Sequence, residues 1–264
     1  MKNLYIVKIG GNVINDPEAM EKFLNDFSSI KQHKLLVHGG GKQATELAAK
    51  LGVSQAMVKG RRITDAETLK IITMVFGGSL NKNIVASLQS KGINAIGLSG
   101  ADGNSILAKK RQTEDIDFGY AGEIIPSGIN VSFITALLES SMVPVFSAIT
   151  HDGKGQLLNT NADSIASALA IELSAYYNVH LHYCFEKKGV LKDAANDGSV
   201  ISTLNHYAYS QLLSAGCISE GMIPKLDNAF AAKQKGVNKV MIAHPNDLIE
   251  HINDNTSSGT TIFA

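Results

Sequence analysis

Short apolar runs suited to β-strands alternate with amphipathic stretches suited to helices along nearly the whole chain. Strand-like runs fall at 4–9, 34–38, 93–99, 143–149, 178–184 and 238–243, and helical patterns at 17–30, 41–51, 65–91, 130–140, 162–174, 205–215 and 222–236. Strands separated by helices join in parallel, because the helix crosses over a face of the sheet and returns the chain to the same edge direction. The expected fold class is therefore α/β: an open, mainly parallel sheet with helices on both faces, an αβα sandwich. A chain of 264 residues is long enough for two lobes sharing that sheet. The best boundary lies near 173–178, which gives an N-terminal lobe over 1–175 and a C-terminal lobe over 176–264.

Local signals refine this outline. Asp16-Pro17 places proline at a first helical position, and Thr64-Asp65-Ala66-Glu67 reads as a capping box. Gly77-Gly78 interrupts the 65–91 pattern, so a bend or two helices is expected there. Segment 101–128 is polar and glycine-containing, and reads as hairpins inserted in the sheet near a substrate.

Two strand-like runs end in glycine: Lys8-Ile9-Gly10-Gly11 and His38-Gly39-Gly40-Gly41. Glycine after a strand lets backbone N–H groups approach an anion with no Cβ in the way. Ligands of open α/β sheets bind beyond the C-terminal strand ends, so Lys8 adds a cation where a phosphate would sit. The second turn has neither the G-x-x-x-x-G-K-[ST] nor the G-x-G-x-x-G spacing. It is read as an oxyanion cradle at a helix N-terminus, with a plain turn as the alternative.

Lys and Arg together number 24, as do Asp and Glu, so no basic excess is available for non-specific nucleic-acid binding. Two cysteines, Cys184 and Cys217, are too few for a disulfide framework. No secretory signal pattern follows Met1, and no uninterrupted apolar run approaches membrane-spanning length; the expected location is cytoplasmic, with no membrane partner. His180 and His182 lack a second ligand pair with metal spacing, so no metal ligands are assigned.

Three further segments contain residues suited to an anionic substrate. Arg62, in Lys59-Gly60-Arg61-Arg62, offers a fork for a carboxylate, although clustered cations are also common in solvated loops. Asn159 and Asn161 alternate and so face one side of a strand, with Asp163 at the following helix start. They could position a polar substrate, or simply be turn and cap residues. Lys225 sits in the first turn of a helix, where a cation opposes the helix dipole, and such a choice invites a functional reason.

Taken together, these pieces resemble the amino-acid kinase family, and within it the N-acetylglutamate kinases of arginine biosynthesis. The resemblance runs nearly end to end. Its motifs are Lys8-Ile9-Gly10-Gly11, His38-Gly39-Gly40-Gly41, Gly60-Arg61-Arg62-Ile63-Thr64, Gly77-Gly78-Ser79-Leu80-Asn81-Lys82, Asn159-Thr160-Asn161-Ala162-Asp163, Gly221-Met222-Ile223-Pro224-Lys225 and Gly259-Thr260-Thr261-Ile262. The arginine and asparagine segments favour this branch over aspartate, carbamate or uridylate kinases.

The resemblance implies an enzyme that phosphorylates the γ-carboxylate of N-acetyl-L-glutamate, or of another N-acyl-L-glutamate such as N-succinyl-L-glutamate. Lys8, Lys225 and Asp163 would be catalytic. Gly40, Gly41, Arg62, Asn159 and Asn161 would bind the acylated amino acid. Lys8, Gly10, Gly11, Glu186, Gly189, Ser219 and Lys225 would bind ATP, which brings Mg2+ with it. The N-terminal lobe would bind the acyl-amino acid and dimerise, and the C-terminal lobe would bind ATP. One segment departs from the family pattern: Phe185-Glu186-Lys187-Lys188-Gly189 stands where Thr/Ser-Asp-Val-x-Gly is usual. That departure motivates an alternative reading as a non-catalytic ligand sensor on the same fold. The first strand begins near residue 4, without the N-terminal helix associated with arginine-inhibited hexamers. The resemblance therefore implies a homodimer insensitive to arginine.

Overall fold

The computed structural model describes every residue except 59, 194, 219–220, 254–257 and 264, and for Asn12 the backbone alone. The chain opens with β1 (Asn3–Ile9), a short α1 (Gly11–Asn15), α2 (Pro17–Ser29), β2 (His33–His38) and α3 (Gly41–Lys50). A two-strand ribbon, β3 (Met57–Val58) and β4 (Arg61–Arg62), leads into α4 (Ala66–Ile72), a π-helical stretch (Thr73–Leu80) and α5 (Asn81–Ser90). Then come β5 (Ala95–Leu98), β6 (Ile106–Gln112), β7 (Asp117–Ile129), α6 (Val131–Glu139), β8 (Val143–Ser147), β9 (Ile149–His151), β10 (Leu157–Thr160) and α7 (Ala162–Leu173). The chain continues through β11 (Asn178–Cys184), β12 (Thr203–Leu204), α8 (His206–Ser214), α9 (Ile223–Gln234), β13 (Lys239–Ala243), α10 (Leu248–Ile252) and β14 (Thr260–Ile262).

Eight strands form one sheet in the order β12-β14-β13-β11-β1-β2-β8-β5. Only the β13–β14 pairing is antiparallel. The inner strands β1, β2 and β11 are almost wholly buried, with an apolar core (Leu4–Val7, Leu35–Val37, Val179 and Leu181) and buried polar residues Lys8, Lys34, His38 and His182 among them, as strands covered on both faces must be largely apolar. Helix α7 packs along β1, β2 and β11 and against α9, while α2 packs against both α5 and α10. The expected α/β fold is thus the observed one.

Three local expectations are corrected. The 101–128 segment does not enter the main sheet. Its hairpin β6–β7 closes with β9 and β10 into a small four-stranded barrel. Gly77-Gly78 does not divide the helix: the chain stays helical through them, in the wider π-helical winding. The capping box does not form. Asp65 is the N-cap and accepts from the Thr68 N–H, while the Thr64 hydroxyl donates to the Arg62 carbonyl. Asp16 caps α2 as expected, accepting from the N–H groups of Glu18 and Ala19 ahead of Pro17. The helix Ala66–Ser90 is long and apolar enough, by composition, to cross a membrane. Its residues Ile72, Val75, Phe76, Leu80, Ile84 and Leu88 instead belong to the protein core.

Candidate active site

Parallel pairing brings the two glycine turns together. Ile9 of β1 lies opposite His38 of β2 and Cys184 of β11. Gly10-Gly11 and Gly39-Gly40-Gly41 therefore leave adjacent central strands at their C-terminal ends, and Lys8 stands one residue before the end of β1, between Val37 and Tyr183.

The second turn is shaped by close packing. Gly40 has φ +154°, and a Cβ there would come within 2.9 Å of the Phe76 ring; only glycine fits. Phe76 lies in the π-helical stretch, whose extra residue per turn re-aims side chains where a site needs them. One residue beyond that stretch, Asn81 donates through Nδ2 to His38 Nε2 (3.1 Å) and to the Val145 carbonyl (2.9 Å). His38 Nδ1 in turn donates to the Gly39 carbonyl at 2.8 Å. These bonds fix His38 as the neutral Nδ1–H tautomer. Burial accounts for most of the lowering of its pKa to about 4. His38 and Asn81 thus act as a buried brace under the glycine loop.

Asp163 lies in the first turn of α7, capped by the Asn161 side chain, which accepts from the N–H groups of Asp163 and Ser164. Its carboxylate stands between two lysines from distant parts of the chain. Lys8 Nζ is 2.8 Å from Oδ1 and Lys225 Nζ donates to Oδ2 at 2.9 Å. Both lysines are buried, at 7% and 8% exposure. Burial alone would raise the Asp163 pKa, but the charges of Lys8 and Lys225 outweigh it and hold the carboxyl well below the usual carboxylate range. Burial, then the charge of Lys8, lowers the pKa of Lys225 against the opposing pull of Asp163. The Tyr183 hydroxyl donates to the Asp163 main-chain carbonyl at 3.1 Å, and Lys225 Nζ is 5.6 Å from the Tyr183 ring centroid. Two ammonium groups sharing one carboxylate leave a fixed, preorganised positive charge, which suits the transfer of an anionic group.

Two clefts meet at this trio. One, of about 240 Å³, is lined by Lys8, Gly10, Gly11, Gly40, Gly41, Arg62, Asn159, Asn161 and Asp163, so nine of the expected site residues converge there. The other, of about 300 Å³, is lined by Phe185, Glu186, Gly189, Ile218, Met222 and Lys225, among others. Ser219, expected beside it, lies outside the described residues. Arg62 Nη2 donates to the Gly41 carbonyl (2.9 Å) and to Thr45 Oγ1 (3.0 Å), which anchors the fork while its Nη1 has no protein partner among the described residues. Asn159 Nδ2 donates to Thr64 Oγ1 at 3.0 Å. The oxygen of Asn161 serves as the α7 cap, so the cap reading and the cleft-lining reading of this residue both hold. Among the described residues, no group of three or more His, Cys, Asp or Glu is arranged to hold a metal ion.

Sequence reasoning passed over Arg61 and Arg111, which line the first cleft, and the brace of His38 and Asn81. The Arg61 signal was visible in the clustered cations. Arg111 lies in the barrel hairpin and ends the cationic run Lys109-Lys110-Arg111, a signal that sequence reasoning did not take up.

A model of the amino acid kinase family matches residues 3–244. An acetylglutamate kinase of Cytophaga hutchinsonii is 52% identical over 265 aligned residues, covering 100% of both chains. Another, from Phocaeicola vulgatus, is 50% identical and covers 99% of this chain and 98% of its own. Among solved structures, smu.665 from Streptococcus mutans UA159 superposes with a TM-score of 0.82 at 25% identity, again covering 100% of both chains. The match of the family model, the end-to-end identity and the fold all agree: this chain belongs to the amino acid kinase family, within its acetylglutamate kinase group of phosphotransferases.

Proposed function

We propose that the protein transfers the γ-phosphoryl group of ATP to the γ-carboxylate of an N-acyl-L-glutamate, in a step of arginine biosynthesis. N-acetyl-L-glutamate is the acceptor that the names of the relatives suggest. The observation that carries this reading is the Lys8–Asp163–Lys225 bridge at the meeting point of two clefts. Lys8 and Lys225 stabilise the charge on the transferring phosphoryl group, and Asp163 holds both in position. The backbone N–H groups of Gly10, Gly11 and Gly40 face the phosphoryl oxygens. Arg62 takes the acceptor's α-carboxylate, and Gly40, Gly41, Asn159 and Asn161 complete its site. ATP occupies the cleft of Glu186, Gly189 and Lys225, with Ser219 beside it.

One oxygen of the γ-carboxylate bonds to the γ-phosphorus. The bond from that phosphorus to the β–γ bridging oxygen breaks, and ADP leaves with the electron pair. The attacking carboxylate is already ionised at neutral pH, so no general base is required. Catalysis rests on positioning and charge. The Asp163 carboxylate is engaged by two lysines, which fits an Mg2+ ion that would be held by ATP oxygens rather than by the protein and would supply charge neutralisation there.

The same reading assigns the acyl-amino acid and dimerisation to residues 1–175, ATP to 176–264, and a cytoplasmic homodimer to the assembled enzyme. The long helix Ala66–Ser90, only 44% buried over its most apolar window and with Met74 exposed, supports a face covered by a second copy. The test is ADP release on adding N-acetyl-L-glutamate or N-succinyl-L-glutamate, with hydroxylamine trapping the acyl phosphate as a hydroxamate. Tight acceptor binding without turnover would instead favour a ligand sensor.

A further inference from the structure

Lys225 has two aromatic neighbours that the mechanism above does not use. Its ammonium nitrogen lies over the Tyr183 ring, 5.6 Å from the centroid, and over the Phe185 ring, 5.8 Å from the centroid. Both rings come from one strand end. Tyr183 lies in β11, and the pairing runs on past Cys184, because the Phe185 N–H donates to the Ala243 carbonyl at 3.1 Å. Residues two apart on an extended chain face the same side of a sheet, so both rings meet the side chain that arrives from α9. Tyr183 is fully buried, and its hydroxyl is tethered to the Asp163 carbonyl. Phe185 is half-buried, packs against the core and lines the same cleft as Met222 and Lys225. It also opens the segment Phe185-Glu186-Lys187-Lys188-Gly189, which departs from the family pattern.

The charge balance gives these rings a purpose. Lys8 and Lys225 are both buried and share the single carboxylate of Asp163, which leaves one more cation than anion at the contact. Burial, and then the nearness of Lys8, act against the charged form of Lys225. The face of an aromatic ring carries partial negative charge and attracts a desolvated ammonium group. A second carboxylate would also balance the excess, but it would cancel the field that an incoming phosphoryl group meets. A ring face stabilises the buried cation without neutralising it.

We infer that Phe185 is a positioning residue for phosphoryl transfer: with Tyr183 it forms an aromatic clamp that holds the Lys225 ammonium group beside Asp163 and at the cleft. This rests on the N-acylglutamate kinase reading and gives that site a further working residue.

The test compares Phe185→Leu, which keeps an apolar side chain and removes the ring face, with Phe185→Tyr, which keeps the ring. Turnover is measured with ATP and either N-acetyl- or N-succinyl-L-glutamate. Phe185→Leu is expected to lower kcat on the order of 10-fold while changing the ATP KM less than ~3-fold. Its basic limb of kcat against pH should move to lower pH, because the ammonium form of Lys225 has lost a stabilising face. Phe185→Tyr should keep most of kcat and restore the limb. A higher ATP KM with kcat and the limb unchanged makes Phe185 only a wall of the cleft and overturns the inference. Equal loss of kcat in the two folded variants does the same. If Phe185→Leu does not fold, the wild-type protein decides by nuclear magnetic resonance: cross-relaxation between the Phe185 ring protons and the Lys225 ε-protons supports the clamp, and its absence overturns it. No turnover of either acceptor by the wild-type protein overturns the kinase reading instead. The clamp is then read from protein labelled with 13C at lysine Cε, with Lys225 assigned by its loss in Lys225→Arg. Lys225 should titrate at lower pH in Phe185→Leu than in the wild type, and an unchanged titration overturns the clamp.

Discussion

Lys8 and Lys225 lie 217 positions apart in the sequence yet share one carboxylate, and most of the residue-scale chemistry follows from that contact. If Lys8 and Lys225 stabilise the transferred group as proposed, Lys8→Ala removes one of the two charges and kcat should fall at least ~100-fold, as measured by ADP release at saturating substrates. Asp163→Asn leaves two buried ammonium groups facing each other without a counter-charge, so both kcat and thermal stability should drop. The acid behaviour follows from the depressed pKa of Asp163. A carboxyl whose folded pKa lies below its unfolded value adds stability that is fully present above the unfolded pKa, near ~4. That stability is lost as pH falls through the folded value, so this ion pair persists in mild acid. His38 behaves in the opposite sense to a paired histidine. Its folded pKa is about 4, with burial the main cause, so the unfolded chain takes up a proton near pH ~6.5 that the folded protein refuses. Stability should therefore decline as pH falls from ~6.5 towards 4, read as the urea midpoint across that range. Replacing His38 by Gln should flatten the slope, leaving the contribution of buried His182, whose pKa is likewise lowered by burial to about 3.

At the scale of elements, the π-helical stretch Thr73–Leu80 and the start of α5 support the second glycine loop from below. Phe76 forbids a side chain at Gly40, and Asn81 braces His38. Asn81→Leu would leave His38 Nε2 and the Val145 carbonyl unsatisfied in the core. It should cost about 1–3 kcal/mol of stability and raise the acceptor KM more than the ATP KM. Gly40→Ala should be at least as damaging, since a Cβ meets the Phe76 ring at 2.9 Å. If either variant kept wild-type acceptor affinity, the brace would have no part in shaping the loop.

On the scale of the whole molecule, β1 is the seam. On one side lie β2, β8 and β5, and on the other β11, β13, β14 and β12. Lys8 sits on this seam, so under the proposed function groups held over either half of the sheet would meet at its ammonium group. A continuous eight-stranded sheet with one core should unfold as one unit. Thermal melts followed by far-ultraviolet circular dichroism and by tyrosine fluorescence are expected to coincide. Two separate transitions would show that the halves are independent. Bound together, a non-hydrolysable ATP analogue and an N-acylglutamate should raise the melting temperature by more than the sum of their separate effects, and Asp163→Asn should reduce that excess.

The β/α alternation, the glycine turns and the polar residues at strand ends and helix starts determined the fold class and most of the candidate site. These are local signals, because a strand that must be buried on both faces and a turn that cannot hold a Cβ each leave a mark in a few neighbouring residues. Helix caps were partly legible in the same way: Asp16 caps as expected, whereas Asp65 rather than Thr64 caps α4. Tertiary structure alone decided the rest. The 101–128 segment joined β9 and β10 in a barrel because its pairing partners lie far along the chain. His38 became a neutral brace only because Asn81 and burial fixed its tautomer. The meeting of Lys8 with Lys225, and of Arg61 with Arg111, depends on long-range packing. Electrostatic energy depends on distance and burial, and sequence order states neither.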